Sequence, residues 1–363
     1  MRICFVVGDA RAQQVTFAGI YIALAAHRGG HDVRFVSVDE LSFLDDNTVL
    51  ATTRRVRHGD YPSPTEYAHA LSSDEAVVEE DNLASFDVVF LRFNPTRESH
   101  ARAATPLIDF GWRLRLGGTL VLNDPEGLRR AGSRMYLGDF PADVRAKTLV
   151  SRSPDQLKQW VRALRAPAVL KPLQPRGGEH VFFVKPRQTS NLNQIITTVT
   201  KNGYAIAQEY LPEIAEGEKR LLLLGAEPIR FGKWVAIYRR HIALGGTDGT
   251  DGTEGAGAAG GPNGAPRGVP ASNRSRCDFG PAEARICELI RPKLLADGLY
   301  LVGVDIVGDK ILELNVFTPG GIHSIHELYK VDVAEIIVKD LERRVRLRAA
   351  YRTTFDPEAA DVV

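Results

Sequence analysis

The stretch that most constrains this chain runs from Gly303 to Ile322, GVDIVGDKILELNVFTPGGI. Two apolar runs, LVGVDIV and KILELNV, flank Gly308-Asp309-Lys310, which is the sequence form of a β-hairpin. Against that apolar background three polar residues stand out: Asp305, Glu313 and Asn315. Side chains alternate faces along a strand, so Glu313 and Asn315 point the same way. A hairpin centred on Asp309 sets Asp305 directly opposite Glu313. Two carboxylates facing each other across a ladder repel, and a divalent cation between them reverses the sign of that interaction. Two carboxylates and an amide oxygen are hard ligands that suit Mg²⁺, which completes its shell with water and substrate phosphates. The bland alternative is a half-exposed hairpin with solvated acids, and the apolar neighbours argue against it. The hairpin is therefore expected to hold a metal, and the metal to carry a nucleotide.

A chain of 363 residues has room for two or three domains. With 44% hydrophobic and 25% charged residues it has the make-up of an ordinary soluble protein. A formal net charge of +1 gives no reason to expect nucleic acid or a membrane as partner. No run approaches the roughly 20 apolar residues of a membrane span. Cys4, Cys277 and Cys287 form neither a CxxC pair nor an even framework, which points to a reducing, cytoplasmic setting. His323 and His326, three apart, invite a zinc reading, but the pattern is not HExxH and no third ligand is evident.

The opening reads as βαβ: strand 2–7, helix 16–28 ended by Gly29-Gly30, strand 31–38. A parallel sheet follows from that pattern. The turn Gly8-Asp9-Ala10-Arg11 is not GxGxxG, and GxxxxGK[ST] occurs nowhere. Strand 86–92 ends at Arg92, and open α/β sheets bind ligands outside the carboxyl ends of their strands. Arg92 is thus a candidate clamp for a substrate carboxylate, with a surface ion pair as the alternative. A helix over 99–116, a strand over 119–123 and the break at Asp124-Pro125 close a first domain. Beyond it the spacing predicts a short basic helix (GLRRAGSRMYLGDF), strand 147–150, helix 153–164 and strand 168–173 with Lys171 facing inward. The turn Gln174-Pro175-Arg176-Gly177-Gly178 and strand 180–185 come next. A strand-borne lysine before a glycine turn would set an ammonium and free N–H groups on one anion. Helix 191–202, strand 204–211, a strand pair over 228–239, helix 280–297 and a closing helix over 331–344 complete the pattern. Residues 245–266 are of low complexity and read as a mobile loop or an insertion. The basic run Arg343–Arg348 reads as the solvated end of the last helix.

VLKPL with its Gly-Gly turn (169–178), AQEYLPEI with EGEKR (207–220) and LVGVDIVGDKILELNV (301–316) resemble, in order and spacing, the prokaryotic glutathione synthetases of the ATP-grasp superfamily, over roughly residues 1–345. The resemblance implies an α/β ATP-grasp fold behind an N-terminal parallel-sheet domain. Its divisions would be 1–124 for substrate, 125–203 as a small lid, 204–345 as a larger metal-bearing subdomain, and 346–363 as a tail. It implies ATP and Mg²⁺, with Mn²⁺ as a substitute, and small carboxylate and amine substrates joined through an acylphosphate. It also implies self-association into a homo-oligomer. Residue by residue, it puts Lys171, Arg134 and the Gly177-Gly178 turn on the nucleotide phosphates. Gln208, Glu209, Tyr210 and Leu211 match the linker on the adenine edge, and Glu218 the acid on the ribose. Arg220 and Arg274 match catalytic arginines, and Asp305, Glu313 and Asn315 the metal ligands. Arg92, Arg274, Gly320 and Gly321 fall at the substrate, and segment 245–266 where the family carries a lid loop.

Four departures stand beside these matches. Arg134 takes the place of a lysine, the glycine turn reads Gln-Pro-Arg-Gly-Gly, the loop after the metal strand reads Thr-Pro-Gly-Gly, and Arg92 is followed by Phe-Asn-Pro. The activity implied is ligation of γ-glutamylcysteine to glycine. Two alternatives remain: an ATP-grasp ligase forming another peptide or natural-product amide, and an ATP-binding regulator without turnover.

Overall fold

The computed structural model describes residues 1–95, 104–173, 181–186, 191–240 and 274–354. The N-terminal part runs β1 (Arg2–Val7), α1 (Ala18–Arg28), β2 (Asp32–Ser37), β3 (Leu41–Phe43), β4 (Val49–Arg55), α2 (Pro64–Ser72), β5 (Val77–Asn82), β6 (Val88–Arg92), α3 (Ala104–Leu116) and β7 (Leu120–Leu122). From Ile3 onward β1 is apolar and buried without alternation, as a central parallel strand requires. It pairs in parallel with β2 and β6, and β6 in turn with β7. Phe5 lies opposite both Phe35 and Phe90, and the three rings stack at 5.1 and 5.3 Å. Such pairs contribute about 0.5–1.5 kcal/mol each beyond the area they bury.

The expected parallel sheet is only half of what forms. Strands β3, β4 and β5 extend it with antiparallel pairings, in the order β3-β4-β2-β1-β6-β7 with β5 beside β4. This stretch lacks an apolar pattern because cross-strand charge holds much of it. Arg34 pairs with Asp32 and with Glu79, and Asp81 accepts from Arg2 at 2.8 Å.

A second layer follows α4 (Pro125–Ala131), whose start is capped by the Asp124 carboxylate accepting from the Glu126 and Gly127 N–H groups. It comprises β8 (Thr148–Ser151), α5 (Pro154–Leu164), β9 (Ala168–Pro172), β10 (Phe182–Val184), α6 (Leu192–Thr200) and β11 (Ala205–Glu209). The four strands are antiparallel in the order β10-β9-β11-β8. Leu157, Val161, Leu192, Ile196 and Val199 of the helices pack with Ala168, Leu170, Ala205 and Ala207 of the sheet.

The third part contains β12 (Glu218–Leu224), β13 (Glu227–Pro228), β14 (Arg230–Phe231), β15 (Lys233–Trp234), β16 (Ala236–Arg239), β17 (Arg274–Arg276), α7 (Pro281–Ala296), β18 (Leu301–Val307), β19 (Lys310–Asn315), α8 (Ile322–Tyr329) and α9 (Val333–Thr354). Its sheet is antiparallel in the order β17-β16-β12-β18-β19, with β13 beside β12.

Three local expectations need correction. The basic helix over 127–140 is two pieces: α4 ends at Ala131, and a 3₁₀ turn spans Arg134–Asp139, started by Ser133 accepting from the Met135 N–H. The hairpin turn has two residues, not three. Val307 pairs with Lys310, and Gly308 adopts φ +58°, the conformation that favours glycine. An extra residue at Leu312 then bulges out, and this restores the Asp305–Glu313 pairing. The last helix runs on to Thr354, so Arg343–Arg348 lies within it, where Arg343 and Arg344 pair with Asp340. The 245–266 loop, the Gly177-Gly178 turn, residues 99–103 and the tail from 355 lie outside the described residues.

Candidate active site

Lys171 rises from β9 into a cavity of about 250 Å³. In the sheet it lies beside Ile206 of β11, which lies beside Val150 of β8. One row of side chains therefore crosses three strands, and Thr148 and Gln208 form the next row on the same face. Lys171 Nζ donates to Gln208 Oε1 at 3.2 Å. Burial, then the nearby Arg134 charge, pull the Lys171 ammonium down to about 8. Arg134 comes in from the 3₁₀ turn and donates from Nη1 to the Pro172 carbonyl at 2.9 Å; burial lowers it too. Glu313 and Asn315 of β19 line the opposite wall, with Leu312 and Leu314.

Asp305 is 1% exposed and pairs with Glu313 across the ladder. It is gripped by Arg220, whose Nε donates at 2.6 Å and whose Nη2 closes a second bond. Arg220 reaches it because the two residues are register partners in β12 and β18. Burial works to raise the Asp305 carboxyl, but the Arg220 and Arg239 charges and the Asn315 amide override it and hold it below the usual carboxylate range. Glu313 goes the other way: burial and the Asp305 charge push it up to about 8. The Asn315 amide donates to Asp305 Oδ2 at 3.1 Å, and Glu313 is the cross-strand neighbour of Asp305. Among the described residues no three His, Cys, Asp or Glu side chains converge on a metal-sized site. The donor set is thus two carboxylates and an amide, which fits a hard divalent cation.

The remaining expected residues spread around this centre. Glu218 is 2% exposed and accepts from Arg239 Nη1 at 2.9 Å, away from the cavity wall. At the end of β11 and just beyond it, the Glu209 and Tyr210 N–H groups already serve the Lys147 and Pro167 carbonyls. Leu211 follows, before the turn Pro212–Ala215. A Cβ at Gly320 would lie 3.9 Å from Arg220 Nη1, and Gly321 adopts φ +129° as it opens α8. Arg274 donates to Ser324 Oγ of that helix at 2.7 Å. Arg92 is 8% exposed, and among the described residues no carboxylate pairs with it. Its Nη2 donates to the Pro319 carbonyl at 3.2 Å, and burial lowers it to about 10. Arg92 is buried, and the surface ion pair considered for it finds no partner among the described residues. His323 accepts or donates a 2.7 Å hydrogen bond with the Tyr21 hydroxyl, a packing contact between α8 and α1.

The cavity also uses residues that sequence reading passed over: Asn94, Tyr136, Arg145, Val150 and Ile206. Val150 and Ile206 join the Lys171 row only through the register of β8 and β11 with β9, which alternation along one strand does not give. Nor was Arg145 legible, since it follows a short irregular segment and meets β19 through a bridge to Ile311.

Two family models match the chain, one after the other. The N-terminal domain of prokaryotic glutathione synthetase matches residues 1–129, and its ATP-grasp domain matches 133–247 and 271–330. The chain belongs to the prokaryotic glutathione synthetase family. Its relatives include the glutathione synthetases of Synechocystis sp., 31% identical over 90% of this chain and 93% of that one, and of Vibrio vulnificus, 29% identical over 90% and 92%. The glutathione synthetase of Synechococcus elongatus is 32% identical over 73% of both chains. Among solved structures, the D-cycloserine synthetase DcsG superposes with a TM-score of 0.61 at 16% identity, covering 94% of this chain and 99% of that one. The ATP-grasp ligase PsnB with a minimal precursor superposes at 0.56 and 15%, covering 94% and 97%. The fold is ATP-grasp, and a member of this family is an ATP-dependent ligase that uses a divalent metal. Among the described residues no helix is long and apolar enough to cross a membrane.

Proposed function

We propose that the protein joins the carboxylate of γ-glutamylcysteine to the amine of glycine, converting ATP to ADP and phosphate. The observation that carries this reading is the convergence of Lys171, Arg134 and Gln208 with Glu313 and Asn315 on one cavity, in a chain whose relatives are named glutathione synthetases. The adenine would lie along the Val150–Ile206 row against Leu312 and Leu314, its edge on the 208–211 linker. Lys171, Arg134 and the Gly177-Gly178 turn would hold the phosphates, and Glu218 would turn from Arg239 to the ribose. Asp305, Glu313 and Asn315 would hold Mg²⁺, or Mn²⁺ in its place. The ion would neutralise charge on the transferring phosphoryl group.

The acceptor carboxylate attacks the γ-phosphorus in line. ADP leaves, and an acylphosphate remains. The amine then attacks the acyl carbon, loses a proton, and phosphate departs. No side-chain nucleophile is required. Arg92 clamps a substrate carboxylate, Arg274 and the Gly320-Gly321 loop seat the reacting end, and Arg220 faces the phosphoryl group once it releases Asp305. Water must be kept from the acylphosphate, which is the task assigned to segment 245–266. In this reading 1–124 carries substrate, 125–203 is the lid and 204–345 bears the metal. The three free thiols suit a reducing cytoplasm, and a homo-oligomer belongs to the same proposal.

Phosphate release from ATP–Mg²⁺ with the two acceptors, together and singly, tests it. Release that needs both, with a product of the mass of glutathione, is the expected result. A second reading, the same ligation on another carboxylate–amine pair, is favoured by Arg134 in place of lysine and by the Thr-Pro-Gly-Gly loop. Release with γ-glutamylcysteine but indifferent to glycine would support it. Bound ATP with no release under any pairing would point to the regulator.

A further inference from the structure

Asn123 stands between β7 and α4, 4% exposed, and takes part in none of the chemistry above. Its side chain nevertheless joins the two ends of the metal hairpin. Oδ1 accepts from the Leu301 N–H at 2.8 Å, and Nδ2 donates to the Leu301 carbonyl at 3.0 Å and to the Val316 carbonyl at 2.6 Å. Leu301 begins β18, and Val316 directly follows Asn315. The orientation of the amide is settled by its partners, since only Leu301 offers it an N–H.

The hairpin is closed at its far end by the Gly308 turn. At its near end no turn exists, and the Asn123 amide takes that place, pairing with one strand as a backbone would and tying it to the other. The segment leaving the metal strand is then caught a second time, by Arg92 on the Pro319 carbonyl. Both grips come from the N-terminal sheet: Arg92 ends β6, and Asn123 follows its neighbour β7. Phe90, Leu122 and Phe317 close around the joint.

We infer that Asn123 is a positioning residue for the metal ligands: through Val316 it sets where Asn315 stands relative to Asp305, and so couples the N-terminal domain to metal affinity. The inference rests on the metal assignment made above. Groups that orient metal ligands from behind typically change metal affinity 10–100-fold when removed.

The test measures two affinities in the full chain, Mn²⁺ in the presence of ADP, followed by electron paramagnetic resonance, and metal-free ADP, followed by calorimetry. In Asn123→Ala, Mn²⁺ affinity is expected to fall by about 10-fold or more while metal-free ADP binds within about 2-fold of wild type. Asn123→Ser, which keeps one donor, should fall between the two. Unchanged Mn²⁺ affinity, or equal losses for both ligands, overturns the inference. If neither variant folds, amide exchange in the wild type decides. Mn²⁺ with ADP should slow exchange at Leu301 more than at Leu120–Leu122, and equal slowing overturns the inference. A wild type that binds no Mn²⁺ defeats the metal assignment itself, whereas wild type and Asn123→Ala binding it equally defeats only the coupling.

Discussion

Glu313 and Lys171 face each other across the cavity in states that folding alone disfavours. The Glu313 carboxyl sits at about 8 because burial and Asp305 oppose its charge. An acid raised in the folded state supports stability below its ordinary value of about 4.5 and loses that support as pH climbs to about 8. Glu313→Gln should therefore melt higher than wild type in the absence of metal, with the gap wider at pH 9 than at pH 5. The same variant should lose turnover by about 10²-fold or more, since on the proposed metal assignment it removes a charged ligand at constant volume. Wild-type rates in Glu313→Gln would sink the metal assignment. Lys171 has the opposite sign: a lysine lowered by burial opposes folding below about 8, and that opposition fades as pH rises towards 10.5. Lys171→Met should stabilise the nucleotide-free protein at pH 7 and weaken ADP binding. Wild type should lose ADP affinity between pH 7 and 9 and Lys171→Met should not, as calorimetry at both pH values can read. The site's charges are held ready for a ligand at the expense of the empty fold.

Among the elements, the hairpin shows how local geometry serves the site. A two-residue turn with no correction would have paired Asp305 with Leu312, and the bulge at Leu312 restores Glu313 as its partner. Glu313 and Asn315, two apart beyond the bulge, both line the cavity. Gly308 holds φ +58°, and a Cβ there would stand 3.4 Å from the Glu213 side chain. Gly308→Ala should lower stability by about 1 kcal/mol, read as a fall in the denaturant midpoint at unchanged slope. The helix α4 depends on a tighter approach. A Cβ at Gly127 would fall 1.9 Å from the Asp297 carbonyl oxygen, so Gly127→Ala must displace backbone and should be the more damaging change, by about 1–3 kcal/mol.

At the scale of the whole molecule, function depends on seams between layers. Arg92 ends a strand of the N-terminal sheet and holds the Pro319 carbonyl beside the Gly320-Gly321 loop. Arg92→Met should raise the KM for the carboxylate substrate by about 10-fold or more while leaving ADP affinity unchanged; steady-state kinetics beside calorimetry separates the two. Much of this organisation could be read without a structure. The apolar hairpin with three polar positions pointed to Asp305, Glu313 and Asn315 as the proposed metal residues, because strand alternation and carboxylate repulsion are local rules. The βαβ opening, the inward Lys171 and most strands of the second and third parts followed from the same periodicities. The antiparallel strands β3–β5 were hidden, since their pairing is held in large part by charges distant in sequence, Arg2 and Arg34 with Glu79 and Asp81. Nor could the order of residues show that Arg220 grips Asp305, that Arg239 pairs with Glu218, or that Asn123 joins Leu301 to Val316. Each of those contacts spans from about 20 to nearly 200 positions and exists only where separate strands come into register. The sequence by itself determined which residues could bind metal and nucleotide, through local alternation and charge. Only the tertiary structure decided which charge neutralises which, because that choice is made by strand order and register between segments far apart in the chain.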